Sequence, residues 1–283
     1  MCIDNQSVSG FDAAFRGMRN PLESWDQTDS WFGIVNADNW DNEITKVRDL
    51  WMAADGYSEW EDVTDKEVIM WMEKTADRLD WLYINSRLDQ NGDYSVRAYI
   101  GPKDMSLAQR LVRAGADEGK FLRQINVSID ITAPLYWWKE MDTYKVGTVA
   151  DSTSTMHKLA SRKIAIDDFS FDKELDNLIL NNPKENEYPF EFFEAIDDIV
   201  LYCESLRKRY LETKDKRYWR ALIQLLPESY NQTRTWTANY AVLRNIYFAR
   251  RNHKLSEWHE FCEWIESLPY AKELICLEEK KGK

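Results

Sequence analysis

The chain is 283 residues long and 44% hydrophobic, with only ten glycines and seven prolines, so it can bury a large core and is globular rather than a low-complexity polymer. A net charge of -12 and a pI near 4.9 argue against binding nucleic acid or an anionic membrane through the whole surface field, and leave only a local basic pocket open. Cys2, Cys203, Cys262 and Cys276 lie far apart with no CxxC and no leader or long apolar span ahead of them, so free thiols in the reducing cytoplasm are expected. The length allows one domain or two; a single elaborated domain over 1–283 is the expectation.

In chain order, Ser9 to Asp29 is a short mixed segment that passes through Asn20-Pro21 and ends in turn formers. Residues 30–100 are tryptophan-rich and acidic. Within them Val68, Met72, Thr75, Leu79 and Leu82 recur at helical spacing beside Glu73, Lys74, Asp77 and Arg78, which predicts an amphipathic helix closed by the turn "DQNG". From Met105 to about Tyr270 helical patterns alternate with "FLRQINVSIDI" (121–131), where Ile125, Val127, Ile129 and Ile131 alternate with polar residues as in a half-buried strand. Residues 235–251, "TWTANYAVLRNIYFARR", read as an amphipathic helix with the stripe Trp236, Tyr240, Leu243 and Tyr247. On that helix Asn239 and Arg250 would point within about 20° of each other, three turns apart, with Asn245 about 120° away. The end of the chain, 271–283, is expected to be a solvated tail.

Several candidate sites carry a plain structural reading. His253 and His259 are six apart, on opposite sides of a helix, and do not make a metal pair. Glu191, Glu194 and Asp198 share a helix face as Mg²⁺-holding carboxylates do, but a solvated acidic face is expected in so acidic a chain. Trp137-Trp138 and the series Trp51, Trp60, Trp71 and Trp81 are read as core or interface before base-stacking platforms. There is no glycine-rich phosphate loop, GxSxG elbow or HExxH, and no metal site is expected.

The order Pro227, Trp236-Thr237-x-Asn239, Asn245 and Arg250 resembles the C-terminal region of the flavin-dependent thymidylate synthases. Upstream, "LAQRLVRAGADEGKFLRQINVSIDITAP" (107–134) resembles the helix, loop and strand before that family's signature, so the resemblance covers about 105–265. The short "FRGMRNP" stretch would supply the family's first strand, and 30–100 would be a helical, tryptophan-rich insertion. The signature R-H-R-x-x-S-x-N-E-x-S-x-R-Y falls on Thr143 to Met156, "TYKVGTVADSTSTM". Its third basic position is kept as Lys145; Thr148, Asp151 and Thr153 are conservative replacements. Thr143, Tyr144, Ala150, Thr155 and Met156 depart from it. A threonine cannot reproduce an arginine's bidentate grip on phosphate, ~1.5–3 kcal/mol per contact, so losing two weakens phosphate binding by roughly 10² to 10⁴.

The resemblance implies an α+β fold with a twisted, mainly antiparallel sheet flanked by helices. It also implies a divergent protein that binds or modifies a pyrimidine nucleotide, methylating dUMP to dTMP with FAD and methylenetetrahydrofolate as in the family. Arg250 would be the catalytic residue, touching the pyrimidine and stabilising developing negative charge. Asn239, Asn245 and Lys145 would bind cofactor, with Arg123 a further cation for the pyrophosphate, and Asp151, Thr153 and Arg250 would bind substrate. The expected partners are the nucleotide, folate and further copies of the chain in a homotetramer with shared sites, and neither polymeric nucleic acid nor membrane. The alternative is a phage-encoded interaction protein that retains the fold and has lost the chemistry.

Overall fold

The computed structural model describes residues 1–33, 97–172, 179–180 and 190–278. The amphipathic helix expected near 68–82 and the tryptophans at 51, 60, 71 and 81 lie outside the described residues. By its internal contacts the chain divides into two compact units. Unit 1 comprises 1–4, 130–145 and 149–236; unit 2 comprises 5–129, 146–148 and 237–283.

The strands β1 (Cys2–Ser9), β4 (Asn126–Pro134), β8 (Asn231–Asn239) and β5 (Val149–Ser152) form one antiparallel sheet in the order β1-β4-β8-β5, as the fold-class expectation required. The pairing of β4 with β8 is visible in side chains on one face. Ser128 bonds Thr237 (2.8 Å), Thr235 donates to Asp130 (2.6 Å) and Thr132 bonds Thr233 (2.7 Å). The paired numbers run in opposite directions, which fixes an antiparallel register. The other face is buried, with Val127, Ile129, Ile131 and Ala133 from β4 and Gln232, Trp236 and Ala238 from β8. Two short antiparallel pairs stand apart from this sheet: β2 (Trp31–Gly33) with β3 (Arg97–Tyr99), and β6 (Ile179–Leu180) with β7 (Phe190–Glu191).

In unit 2, "FDAAFRGMR" is helix α1 (Phe11–Arg19) rather than the first strand suggested by the family. Its Phe11, Ala14, Phe15 and Met18 repeat at 3–4 spacing and are all buried, a period that a strand cannot bury on one face. α2 (Pro102–Ala114) opens with Pro at N1, and Asp29 accepts from the backbone N–H groups of Lys103 (2.8 Å) and Asp104 (2.9 Å). Between α1 and α2 lies a buried ion pair. Arg19 donates from Nε to Asp104 (2.6 Å) and from Nη2 at 2.5 Å, and its remaining donors reach the carbonyls of Ser24 (3.1 Å) and Gln27 (3.0 Å). Thr28 donates to the second Asp104 oxygen (2.6 Å), so both buried charges are fully partnered.

A strand gives way to a helix at Asn239. Residues 235–239 belong to β8, and helix α7 spans Tyr240–Arg250, followed by α8 (Ser256–Glu266) and α9 (Ala271–Leu274). The single helix read from 235 onward is therefore corrected. Thr233, Thr235 and Thr237 favour extended backbone and alternate with buried Trp236 and Ala238, while the Asn239 side chain caps α7 by accepting from Val242 N–H (3.1 Å). The solvated tail does not begin at 271 either: Ala271, Leu274 and Ile275 are buried.

In unit 1, α3 (Leu135–Met141) carries Trp137 and Trp138, both buried in a T-shaped pair 4.9 Å apart, so this pair is core as expected. β5 and the short α4 (Thr155–Lys158) follow. A helical hairpin, α5 (Phe192–Thr213) and α6 (Lys216–Leu225), turns at Lys214 in the left-handed region, with Asp215 capping α6. Its core joins Ile196, Val200, Cys203 and Leu222 to Leu159, Ile164 and Phe169. Glu204 accepts from Ile164 N–H (2.9 Å) and twice from Arg207, whose guanidinium holds the carboxyl below its ordinary range. Glu191, Glu194 and Asp198 are exposed, and among the described residues no acidic, His or Cys group could hold a metal. No described helix is long and apolar enough to cross a membrane.

Candidate functional site

The concave feature that involves the sequence-predicted residues lies within unit 2, at the head of α7. It is a cavity of about 750 Å³, within the range of small-molecule sites. Four segments build it: the end of α2, the 3-10 turn Glu118–Gln124, the Val146-Gly147 corner, and one side of α7 from Asn239 to Phe248. Val112, Leu122, Val242 and Phe248 give it apolar walls, and Asn239, Asn245 and Arg123 bring polar groups to them.

Each polar group is held differently. The Asn239 Oδ1 is occupied by Val242 N–H, which fixes the amide and turns its Nδ2 toward Gly147. Gly147 has φ 77°, and a Cβ there would lie 3.1 Å from Val242 Cγ2 and 3.3 Å from Asn239 Nδ2. Glycine thus serves both the backbone conformation and the close approach to the capping amide. Asn245 and Arg123 are exposed and make no side-chain hydrogen bond or ion pair among the described residues, which leaves their donors available to a ligand. Arg244, a residue the sequence reading passed over, also lines the cavity. Its Nη1 donates to the carbonyls of Ile275 (2.7 Å) and Leu277, and its guanidinium lies 4.7 Å from the Phe248 ring. It ties the segment after α9 to the cavity wall; its partners are backbone carbonyls some 30 residues on, which leave no periodic trace in the sequence.

Of the predicted residues, the structure brings Asn239 and Asn245 together. Arg250 is not on the cavity wall. It stands at the far end of α7, eleven residues or about 16 Å along the chain axis from Asn239, with its guanidinium 4.6 Å from the ring of buried Trp258. The shared face expected for Asn239 and Arg250 fails because Asn239 has extended backbone angles (φ -124°, ψ 168°) and lies outside the helix.

Lys145, Asp151 and Thr153 belong to unit 1 and are exposed. Thr153 is pinned by its backbone: its N–H donates to the Thr233 carbonyl (2.9 Å) and its carbonyl accepts from Gln232 Nε2 (2.8 Å). Arg234, in the same unit, is committed to Asp142 (2.6 Å) and Gln232 (3.0 Å) and lies 4.2 Å from the Trp138 ring. Thr143, at a family arginine position, donates its hydroxyl to Glu140 (2.7 Å). None of the four cysteines is disulfide-bonded; burial pushes the Cys262 and Cys276 thiols up to about 11, so neither is a thiolate nucleophile at neutral pH. His253 and His259 meet through a backbone carbonyl, with His259 Nε2 2.7 Å from His253 O.

No protein-family model matches the sequence, and no curated protein is matched by it. Solved structures do match. Flavin-dependent thymidylate synthase ThyX from Helicobacter pylori, complexed with FAD and dUMP, aligns over 98% of this chain and 100% of that one at 14% identity, with a TM-score of 0.52. A second structure of the same enzyme with FAD and dUMP, at 2.31 Å, aligns over 99% and 100% at 14% identity with a TM-score of 0.54. The chain has the flavin-dependent thymidylate synthase fold. The UMP/dUMP methylase PolB from Streptomyces cacaoi, bound with 5-Br dUMP, aligns over 62% of this chain and 81% of that one at 15% identity and a TM-score of 0.45. The lining of this cavity falls within three stretches that carried the sequence resemblance: 107–134, 143–156 and 236–250.

Proposed function

We propose that this chain is a divergent flavin-dependent thymidylate synthase-like protein that holds a flavin and a pyrimidine nucleotide, with the flavin ring in the cavity at the head of α7. The observation that carries the reading is the convergence of Asn239 and Asn245, two amides assigned to flavin by the sequence match, on one apolar-walled cavity in a chain of this fold. The cavity's chemistry fits the group. Val112, Leu122 and Phe248 suit the faces of a planar ring, amides satisfy its polar edge without adding charge, and Arg123 offers an unpaired guanidinium to a phosphate. Bound flavin would supply the hydride that reduces a methylene unit transferred from folate to the pyrimidine.

The protein's own residues would bind and orient. Asn239, fixed by its cap bond, and Asn245 would set the ring's position. Arg250, always cationic and planar, would stabilise negative charge developing on the pyrimidine, with Trp258 holding its guanidinium flat. Lys145, Asp151 and Thr153 would meet the nucleotide's phosphate and sugar. The reading includes a homo-oligomer with sites shared between copies.

Flavin titration followed by fluorescence quenching tests this. The unmodified protein should bind FAD, and Asn245→Ala should weaken binding about 2- to 10-fold, the value of one amide hydrogen bond. A protein that neither binds FAD nor transfers a methyl group to dUMP when given methylenetetrahydrofolate and a reductant would defeat the proposal. A second reading, a binding protein that keeps the fold without the chemistry, draws on one specific observation. Thr143 and Thr155 stand at two arginine positions of the family signature, and the Thr143 hydroxyl is already spent on Glu140.

A further inference from the structure

One wall of the unit 2 cavity is held at two removes. Phe248 lines the cavity, and its ring carries two guanidiniums: Arg244, one turn earlier on α7, lies 4.7 Å from the ring centroid, and Arg251, one turn later, lies 4.9 Å from it. Positions 244, 248 and 251 stand at i, i+4 and i+7, so the three side chains share one stripe of the helix. Both cations are in turn bonded to the segment that follows α9. Arg244 Nη1 donates to the carbonyls of Ile275 (2.7 Å) and Leu277, and Arg251 Nη2 donates to the Glu278 carboxylate (3.1 Å). That segment is seated independently. Leu274 and Ile275 are buried, and the N–H groups of Ile275 and Cys276 each donate to the Ala271 carbonyl (2.7 Å).

The two links are unequal. The Arg251–Glu278 pair is exposed at its carboxylate, where water screens it and it contributes little. Arg244 is half-buried, and its bonds go to carbonyls at and just past the end of α9, beyond the reach of helical N–H donors. They are charge-assisted and so stronger than neutral ones. A guanidinium can cover an aromatic face while its edge donates in its own plane. A lysine ammonium could reach the same carbonyls but would not cover the ring in that way.

We propose that Arg244 is a positioning residue through which the C-terminal segment 275–278 sets the placement of the Phe248 wall, and with it the cavity's affinity for its ligand. The identity of that ligand, flavin, rests on the function proposed above; the placement of Phe248 does not. Coupling of this kind is reciprocal: if a seated segment tightens the flavin site, bound flavin tightens the seat of the segment by the same factor. The sign separates this role from a direct one. Were Arg244 to leave the Ile275 and Leu277 carbonyls and take the flavin's phosphate instead, bound flavin would loosen the segment.

Two measurements on the full chain test it. Phe248→4-fluorophenylalanine places a fluorine resonance on the ring and needs no ligand. Adding Arg244→Gln should shift or broaden that resonance, and adding Lys120→Gln, exposed on the same unit and off the cavity wall, should leave it in place. FAD titration and hydrogen exchange of the 274–276 amides read the coupling. FAD should slow that exchange in the unmodified protein. Arg244→Gln should weaken FAD binding about 5-fold or more, the low end of coupling between linked sites, and abolish the protection that FAD confers. Arg244→Lys should restore amide protection in the absence of FAD yet leave the fluorine resonance displaced, a split that a simple cap on α9 would not produce. An unmoved resonance in folded Arg244→Gln, FAD affinity that does not fall in it, or exchange that FAD accelerates would each overturn the proposal. If the unmodified protein binds no FAD, the flavin assignment fails, and the fluorine resonance alone upholds or overturns the placement of Phe248 by Arg244.

Discussion

Replacing Asp104 by asparagine should expose the cost of a buried charge without changing shape. Asp104 is 0% and Arg19 5% exposed, and the carboxylate accepts two donors from Arg19 and one from Thr28. Removing one partner of a buried pair costs about 3–5 kcal/mol, because the other charge is left uncompensated in a low-dielectric interior. Here Arg19 keeps its bonds to the carbonyls of Ser24 and Gln27, and an asparagine oxygen could still accept one donor, so the lower end, about 3 kcal/mol, is expected. For a chain of this size that is a fall in melting temperature of roughly 6–12 °C. Arg19→Met/Asp104→Leu should recover most of the loss, since it removes both charges together. Urea denaturation and thermal scans of the three proteins decide it. If Asp104→Asn costs under about 1 kcal/mol, or the double variant is no better than the single, the pair is solvated in solution and the reasoning from burial is wrong.

Gly147→Ala should cost about 1–2 kcal/mol for its positive φ and also weaken flavin binding, because the new methyl presses on Asn239 and Val242; thermal scans and FAD titration read the two effects separately. Glu204 has a folded pKa below its ordinary 4.5, so its contribution to stability is present above that value and is lost as pH falls below it through the lowered folded pKa. The gap in urea midpoint between pH 7 and pH 3.5 should therefore be smaller in Glu204→Gln than in the unmodified protein. FAD should bind at least about tenfold more weakly than to a typical flavoenzyme, and Thr143→Arg/Thr155→Arg should strengthen nucleotide or flavin binding in isothermal titration. Tight FAD binding by the unmodified protein would refute the weight placed on the missing arginines.

The strand in 121–131 was legible because Ile125, Val127, Ile129 and Ile131 alternate, and all four are buried, although regular strand begins only at Asn126. The junction at Asn239 was not legible for a definite reason. Trp236 buried from a strand and Tyr240 buried from a helix stand four apart, which mimics one helical stripe, and periodicity cannot see the change of backbone between them. The capping role of Asn239 was the missed signal, since Asn before an apolar run favours a helix start. The two amides of the cavity were legible through resemblance, whereas Arg244 was not, because it acts on carbonyls brought near only by the tertiary fold. "FRGMRNP" shows the reverse case: its own 3–4 spacing pointed to helix, and the family analogy pointed to strand.

The passage from β8 into α7 through one residue means that strand pairing sets the angular phase of the helix. Tyr240 N–H donates to the Ile125 carbonyl (3.0 Å), continuing the rungs made by Thr237 with Ser128, so the first helical residue is still indexed by β4. A slip of two residues between these strands would keep every buried face buried, yet it would advance the start of α7 by about 6–7 Å and carry Asn239 and Asn245 away from Gly147. The hydroxyl rungs of Ser128, Thr132, Thr233 and Thr237, and the Asp130 to Thr235 bond, act as a vernier. They penalise that shift where hydrophobic burial alone would tolerate it, and so calibrate the position of the two amides from the sheet side.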